Sequence, residues 1–345
     1  MITSLAVILV VFFMHYSLQG NQNPVMIQKK GQQHLFIISF ILIFLAAVRK
    51  VVPYTDADGY MVIYNTVSKM NFKELAEVET VSIVYTYLAK IFSLTHLSYH
   101  FWFAFVELLF LTAFIRVINK FSDDKLLCVF LLYTIGLYGF SLNGQKQAIA
   151  MAIIWHGFMD LYEKKYLRSV IMVILAYYCH KSAMVFLLAY IMPFIQKAKS
   201  INFLLITSIS IIIIFSYTVV LNQLTFFLGD EHYESYLDSN ESYTASTLIF
   251  YIILFSTTFF AKKQKTVSED LPMIVGLAVV AVLSQLFAFR VATAFRLSLY
   301  YLPFLIIYVS NQLKNNKPLQ YLVFLFGAVW LLYTSRFLPY KFFWQ

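Results

Sequence analysis

The sequence predicts an all-α fold: a polytopic integral membrane protein of about 12 transmembrane helices with two larger extracytoplasmic loops. Three observations predict it. Apolar stretches of roughly 15 to 22 residues recur along the whole chain, the length that crosses a hydrocarbon layer of about 30 Å. The composition is 61% hydrophobic and only 12% charged, about half the charge of a soluble protein. The cations gather in short clusters between the apolar stretches. Backbone groups in lipid must be satisfied internally, so each stretch is expected to be helical.

Taken in order, the spans fall at 2–17, 34–48, 98–119, 126–141, 146–161, 169–179, 182–196, 202–222, 244–261, 272–289, 294–311 and 319–335. The first lacks a basic leader and a small-residue cleavage site, so it is expected to be a retained helix. The stretch 78–93 is amphipathic and suits either the interface or a segment that dips into the membrane. Cys128 and Cys179 fall at opposite ends of their stretches and are not expected to bridge. No internal repeat or soluble domain boundary interrupts the chain, and residues 1–345 are expected to form a single membrane domain.

The basic clusters set the orientation. They are Lys29 and Lys30; Arg116, Lys120 and Lys125; Lys164, Lys165 and Arg168; Lys197 and Lys199; Lys262, Lys263 and Lys265; Lys314 and Lys317. The positive-inside rule makes these loops cytoplasmic and both ends of the sequence external. The net charge of +9 is therefore a signature of topology and not of nucleic-acid binding. The opposite face carries a longer loop from Arg49 to about Thr80 and another from Gln223 to Tyr243. The second holds Asp230, Glu231, Glu234, Asp238 and Glu241 and no cation.

On that outer face, cations stand singly at helix ends: Arg49, Lys146, Lys181, Arg290 and Arg296. Charge at membrane depth is costly and usually faces a cavity or a partner. Five polar stations converge there: Arg49 with Asp56 and Asp58, Lys146 with Gln145 and Gln147, His180 with Lys181, Arg290, and Arg296 with Tyr300 and Tyr301. Such a set suits an anionic lipid headgroup, above all a polyprenyl diphosphate whose tail stays in lipid. Each station has a plainer reading, since lysines and arginines at helix ends also snorkel as anchors. Arg290 and Arg296 are six residues apart and point to different helix faces.

Asp56-Ala57-Asp58 is a DxD, a pattern that elsewhere holds a metal and a sugar nucleotide; on an outer face it reads better as a sugar-binding or general-base carboxylate. His96 and His100 have metal-compatible spacing but no third ligand nearby, which favours interfacial packing. Glu107 falls mid-span, where an acid is either functional or bonded to a neighbouring helix. No Walker loop, GxGxxG, CxxC or HExxH occurs, so ATP-driven transport, dinucleotide chemistry and zinc proteolysis have no support.

The stretch AVRKVVPYTDADGYMVIYN resembles the early arginine–aspartate–tyrosine segment of the EpsG family of Wzy-type polysaccharide polymerases. FSLNGQKQAIAMAIIWHGFMDLYEKKYLRSVIMVILAYYCHKSAMVFLLAYIMPF resembles that family's central block, and RLSLYYLPFLI its late arginine–tyrosine segment. The likeness spans about residues 47 to 310. It places the family's basic-Gln pair on Lys146–Gln147, its histidine and serine on His180 and Ser182, its early acid on Asp58 and its late arginine on Arg296. The family usually has arginine where this chain has Lys146, which keeps the charge but not the bidentate fork.

The resemblance implies a glycosyltransferase that polymerises lipid-linked oligosaccharide repeat units on the outer face of the bacterial plasma (inner) membrane. A sugar hydroxyl of one unit would attack the anomeric carbon of a growing chain, releasing undecaprenyl diphosphate. His180 or Asp58 would be the catalytic base. Arg49, Asp56, Lys146, Gln147, Lys181, Arg290, Arg296 and Tyr300 would bind substrate, with no metal or other cofactor. Partners would be the undecaprenyl diphosphate-linked oligosaccharide, membrane lipids, a chain-length regulator and a flippase. The competing classes are a flippase or transporter of the same lipid-linked oligosaccharide, and a membrane O-acyltransferase decorating the glycan.

Overall fold

A computed structural model describes residues 2–19, 24–53, 55–77, 82–191, 245–261, 271–288, 295–334 and 340–343. These residues are helical throughout, with no strand among them; the one ladder contact is an isolated antiparallel bridge between Arg49 and Phe342. Two compact units emerge: residues 1–184 with 316–345, and residues 185–315.

The first unit contains α1 (Ile2–Gln19), α2 (Pro24–Ala47), α3 (Asp56–Lys69), α4 (Phe72–Glu77), α5 (Ile83–Ser93), α6 (Tyr99–Phe121), α7 (Lys125–Thr134), α8 (Leu137–Ser141), α9 (Gln145–Tyr162) and α10 (Tyr166–Cys179). In the second unit are α11 (Ala245–Thr257), α12 (Leu271–Phe287), α13 (Phe295–Ser298) and α14 (Leu302–Leu313), while α15 (Lys317–Thr334) returns to the first. A 3-10 helix, Lys181–Tyr190, follows α10.

Helix α9 is the centre of the first unit. It packs on α10, α6 and α8, and only Lys146, Ile153, His156 and Tyr162 escape full burial along it. An aromatic seam joins it to α6: the Trp155 ring lies 5.1 Å from Phe110 and 6.0 Å from Phe114, and Phe158 lies 5.5 Å from Phe121. Helix α6 in turn packs on α2, α1 packs on α7 and α15, and α3 rests on α5. In the second unit α12 packs on α11, α13 and α14.

Polar contacts sort the first unit into two ends. At one, His15 Nε2 meets Asp124 Oδ2 at 2.7 Å, Gln320 Nε2 donates to the same oxygen at 3.4 Å, and Gln32 donates to Asn119 at 3.3 Å. Arg116 meets His156 at 2.8 Å and Arg168 meets Asp160 at 3.1 Å at this same end. The basic clusters of this unit thus share one end. Arg49, the α8–α9 junction and the C-terminal end of α10 lie at the other.

Four expectations change. The loop after Arg49 is largely helical, forming α3 and α4. Lys29 and Lys30 lie inside α2 and not in a loop, because Pro24 is tolerated in a first turn and Lys and Gln are good helix formers. The span at 126–141 is broken by Gly136, whose φ of 90° is left-handed and strained for any side chain, giving α7 and α8. The late span is broken into α13 and α14, with Pro303 in the first turn of α14.

Among the described residues two helices, Val25–Ala47 and Tyr99–Phe121, are long and apolar enough to cross a membrane on their own; the shorter apolar helices run 10–17 residues. Several carry outward apolar stripes, such as Phe36, Phe40 and Phe44 on α2 and Leu167, Ile171 and Ile174 on α10. Hydrocarbon accommodates such faces and water does not. The segments at 192–244 and Arg290 lie outside the described residues, and with them the span at 202–222 and the acidic loop. Cys128 and Cys179 are free and buried, as the sequence predicts.

A close helix contact lies at Gly157 of α9, where an added Cβ would stand 2.8 Å from Met172 Cβ on α10 and the Ser169 hydroxyl donates to the Gly157 carbonyl at 2.8 Å. Gly157→Ala is expected to force the two helices apart and cost about 1–3 kcal/mol. Thermal unfolding of the detergent-purified protein should show a lowered midpoint, whereas Gly139→Ala, with open space around it, should leave the midpoint unchanged or raised.

Candidate functional site

The non-basic end of the first unit is organised by one amide. Gln145, the first residue of α9, is fully buried. Its Oε1 accepts from the Tyr85 hydroxyl at 2.8 Å and from the Trp102 indole N–H at 3.0 Å, and its Nε2 donates to the Tyr99 hydroxyl at 2.7 Å. The Tyr99 hydroxyl in turn donates to the Ala57 carbonyl at 3.1 Å. One side chain thereby fixes α9, α5, α6 and the first turn of α3 to each other. Stacked rings of Tyr64 and Trp102, 5.8 Å apart, pack beside the network.

Lys146 is the next residue, and the geometry of Gln145 turns it outward from the core. Its ammonium sits 5.9 Å from the centroid of Tyr60 and 5.8 Å from that of Tyr85, a cage of two ring faces. No carboxylate among the described residues pairs with it. The Cys179 thiol donates to the Lys146 carbonyl at 3.2 Å, which brings the C-terminal end of α10, and His180 just beyond it, to the same junction. His180 Nδ1 lies 2.7 Å from the Ser182 hydroxyl, so the His-x-Ser pair is joined directly.

Arg49 follows α2 at this same end. Its Nη2 donates to Asn143 Oδ1 at 2.7 Å, while Nη1 is buried and has no hydrogen-bond partner among the described residues. Burial pushes its pKa below the ordinary arginine value, and Tyr138, Tyr340, Tyr99 and Glu107 draw it back up. Glu107 is 1% exposed; Ser141 donates to its Oε2 at 2.8 Å, and Oε1 is buried with no partner among the described residues. Arg49 and Glu107 act on each other electrostatically without closing an ion pair.

Asp56 and Asp58 occupy the first turn of α3, where carboxylates complement the helix dipole. Asp56 is exposed and Asp58 half-buried. Tyr60, one turn further along, supplies a ring to Lys146, so the DxD and the lysine share a neighbourhood. No group of three His, Cys, Asp or Glu residues suited to a metal occurs among the described residues. His100 instead stacks on Phe343 at 5.2 Å, in keeping with a packing role.

The sequence-predicted residues therefore divide. Arg49, Asp56, Asp58, Lys146 and His180 gather at one end of the first unit, with Gln147 buried in α9 and Lys181 half-buried at the start of the 3-10 helix. Arg296 and Tyr300 belong to the second unit, where Ser298 bonds to Gln285 at 3.1 Å and Tyr300 is fully buried. Sequence reasoning missed Tyr60, Tyr85, Tyr99, Trp102 and Asn143 as members of the site. Their only advance signal was polar-tipped aromatics near helix ends, which is common in any membrane protein.

The Gln145 network should be structural. Gln145→Leu would take from the buried Tyr85 hydroxyl its acceptor, from the Trp102 indole N–H its shorter bond and from the Tyr99 hydroxyl its donor, at a cost of about 2–5 kcal/mol. Its expected outcome is a large drop in folded protein and in the unfolding midpoint, against a near-normal midpoint for Lys146→Ala.

The sequence model of the EpsG family matches residues 33–342. No curated protein and no solved structure matches the chain.

Proposed function

Because the chain belongs to the EpsG family, a family of membrane proteins in polysaccharide biosynthesis, we propose that it is a Wzy-type polymerase of lipid-linked oligosaccharide repeat units. It works as one multi-pass domain of about 12 spans in the bacterial plasma membrane, with its site on the outer face. The observation that carries this reading is the pair of cations at one end of the first unit that lack carboxylate partners among the described residues: Arg49, with a buried and unbonded Nη1, and Lys146, held between two tyrosine faces. Desolvated cations without counter-charges favour an anionic ligand, and a diphosphate leaving group supplies one.

In the reaction a sugar hydroxyl of the acceptor attacks the anomeric carbon of the donor glycan. His180 or Asp58 takes the hydroxyl proton, the anomeric C–O bond to the lipid diphosphate breaks, and undecaprenyl diphosphate departs with the bonding electrons. Arg49 and Lys146, aided by Lys181, stabilise the charge that develops on the leaving oxygen. Asp56 contacts the substrate, and no metal is needed. A chain-length regulator and a flippase are its functional partners.

A transporter of the same lipid-linked oligosaccharide is the second reading, and the interrupted helices at Gly136 and at residues 299–301 favour it. The gathering of charged side chains at one end of the first unit, in place of its middle, supports the polymerase.

Lys146→Ala is expected to leave the protein inserted but to slow polymerisation by about 30- to 1,000-fold, the scale of roughly 2–4 kcal/mol of leaving-group stabilisation. Gel analysis of surface glycan should then show single repeat units in place of long polymer. Lys146→Arg should retain polymer, because a guanidinium also sits on aromatic faces, and the purified enzyme should keep its rate in EDTA. Polymer of normal length from Lys146→Ala at the wild-type protein level would remove the lysine from the mechanism.

The topology has its own test. With a membrane-impermeant thiol reagent added to intact cells, Ser235→Cys should be labelled and Lys263→Cys should not. The reverse pattern would place the site on the cytoplasmic face and exclude the outer-face reaction.

A further inference from the structure

Arg49 sits just beyond α2, where a chain leaving a helix has no regular partner for its backbone. Here it has one. The Lys50 N–H donates to the Lys341 carbonyl at 2.9 Å and the Phe343 N–H donates to the Val48 carbonyl at 2.9 Å, so the residues on both sides of Arg49 are held by the segment 340–343. The bridge pairs Arg49 with Phe342. Two side chains secure the segment: the Tyr340 hydroxyl donates to the Leu45 carbonyl of α2, and the Phe343 ring packs 5.2 Å from His100 at the start of α6. It is the only pairing of this kind among the described residues, which are otherwise helical.

We propose that segment 340–343 is a strap that positions Arg49 for the lipid diphosphate, with Tyr340 and Phe343 as its positioning residues. The inference rests on the role proposed for Arg49. Backbone bonds on either side fix where the side chain starts, and Asn143 fixes Nη2 at the far end, leaving Nη1 without a hydrogen-bond partner among the described residues. A guanidinium tethered at both ends binds a phosphate without first losing its own rotamer freedom, whereas a loose one bears that ordering cost on every binding event. The strap touches neither sugar nor phosphate; it acts through Arg49.

The test is Phe343→Pro, which deletes the N–H given to Val48. In vitro polymerisation of purified lipid-linked repeat units should show half-saturation raised about tenfold with the saturated rate within about twofold, the pattern of lost uniform binding. In an Arg49→Ala background the same proline should change half-saturation less than about twofold, because the residue it acts through is gone. An equal loss in both backgrounds, or no loss with Arg49 present, overturns the strap. Should Phe343→Pro fail to accumulate, Tyr340→Phe removes one hydroxyl and should give the same background dependence at about two- to threefold. The two proposals fail separately. Normal polymerisation by Arg49→Ala sinks the role of Arg49 itself, whereas a defective Arg49→Ala with a normal Phe343→Pro sinks only the strap.

Discussion

The geometry of the first unit depends on the Gln145 carboxamide. A buried amide has to satisfy both its acceptor and its donors, and here the partners come from three other segments: Tyr85 on α5, and Trp102 and Tyr99 on α6, the last relaying to Ala57 on α3. An unmet polar group in so apolar a setting costs more than the net gain from any one of these bonds. The network is therefore close to all-or-none. Because Gln145 is the first residue of α9, the network also sets the rotation of that helix and so the direction in which Lys146 leaves it.

A second consequence concerns charge. The basic end of the unit pairs opposite charges locally, Arg168 with Asp160 and Lys165 with Glu163. The opposite end does not. Lys146 is met by ring faces and Arg49 by a neutral amide, and Glu107, the acid nearest in effect to Arg49, forms no ion pair with it. Neutral partners orient a cation without cancelling its charge, so the field remains available to a ligand. A carboxylate in either place would have been the more stable arrangement for a purely structural helix end. That asymmetry between the two ends connects the fold to the proposed glycosyl transfer.

The DxD also changes meaning when seen in place. Asp56 and Asp58 open α3 and complement its dipole, and α3 delivers Tyr60 to the Lys146 cage. The acidic turn thus has a structural part in presenting the cation. Asp58, half-buried in the same turn, also remains a candidate base beside His180.

By itself the sequence determined the helical class, most helix positions among the described residues and the gathering of the first unit's basic clusters at one end, and it named Arg49, Lys146 and His180 as candidates. These are local or statistical properties: apolar length, charge asymmetry and a family pattern matched over residues 33–342 are all written residue by residue. Helix breaks were less legible, since Gly136 and Pro303 act through backbone angles that hydrophobicity does not report. The tertiary structure alone decided that α3 and α4 form within a presumed loop, that Gln145 belongs to a core network and not to a binding surface, and that two tyrosines flank Lys146. It also decided that residues 340–343 return to Arg49. The last three join segments from about 40 to nearly 300 positions apart, and a hydrogen bond or ring face between distant segments leaves no period or spacing in the chain that makes it.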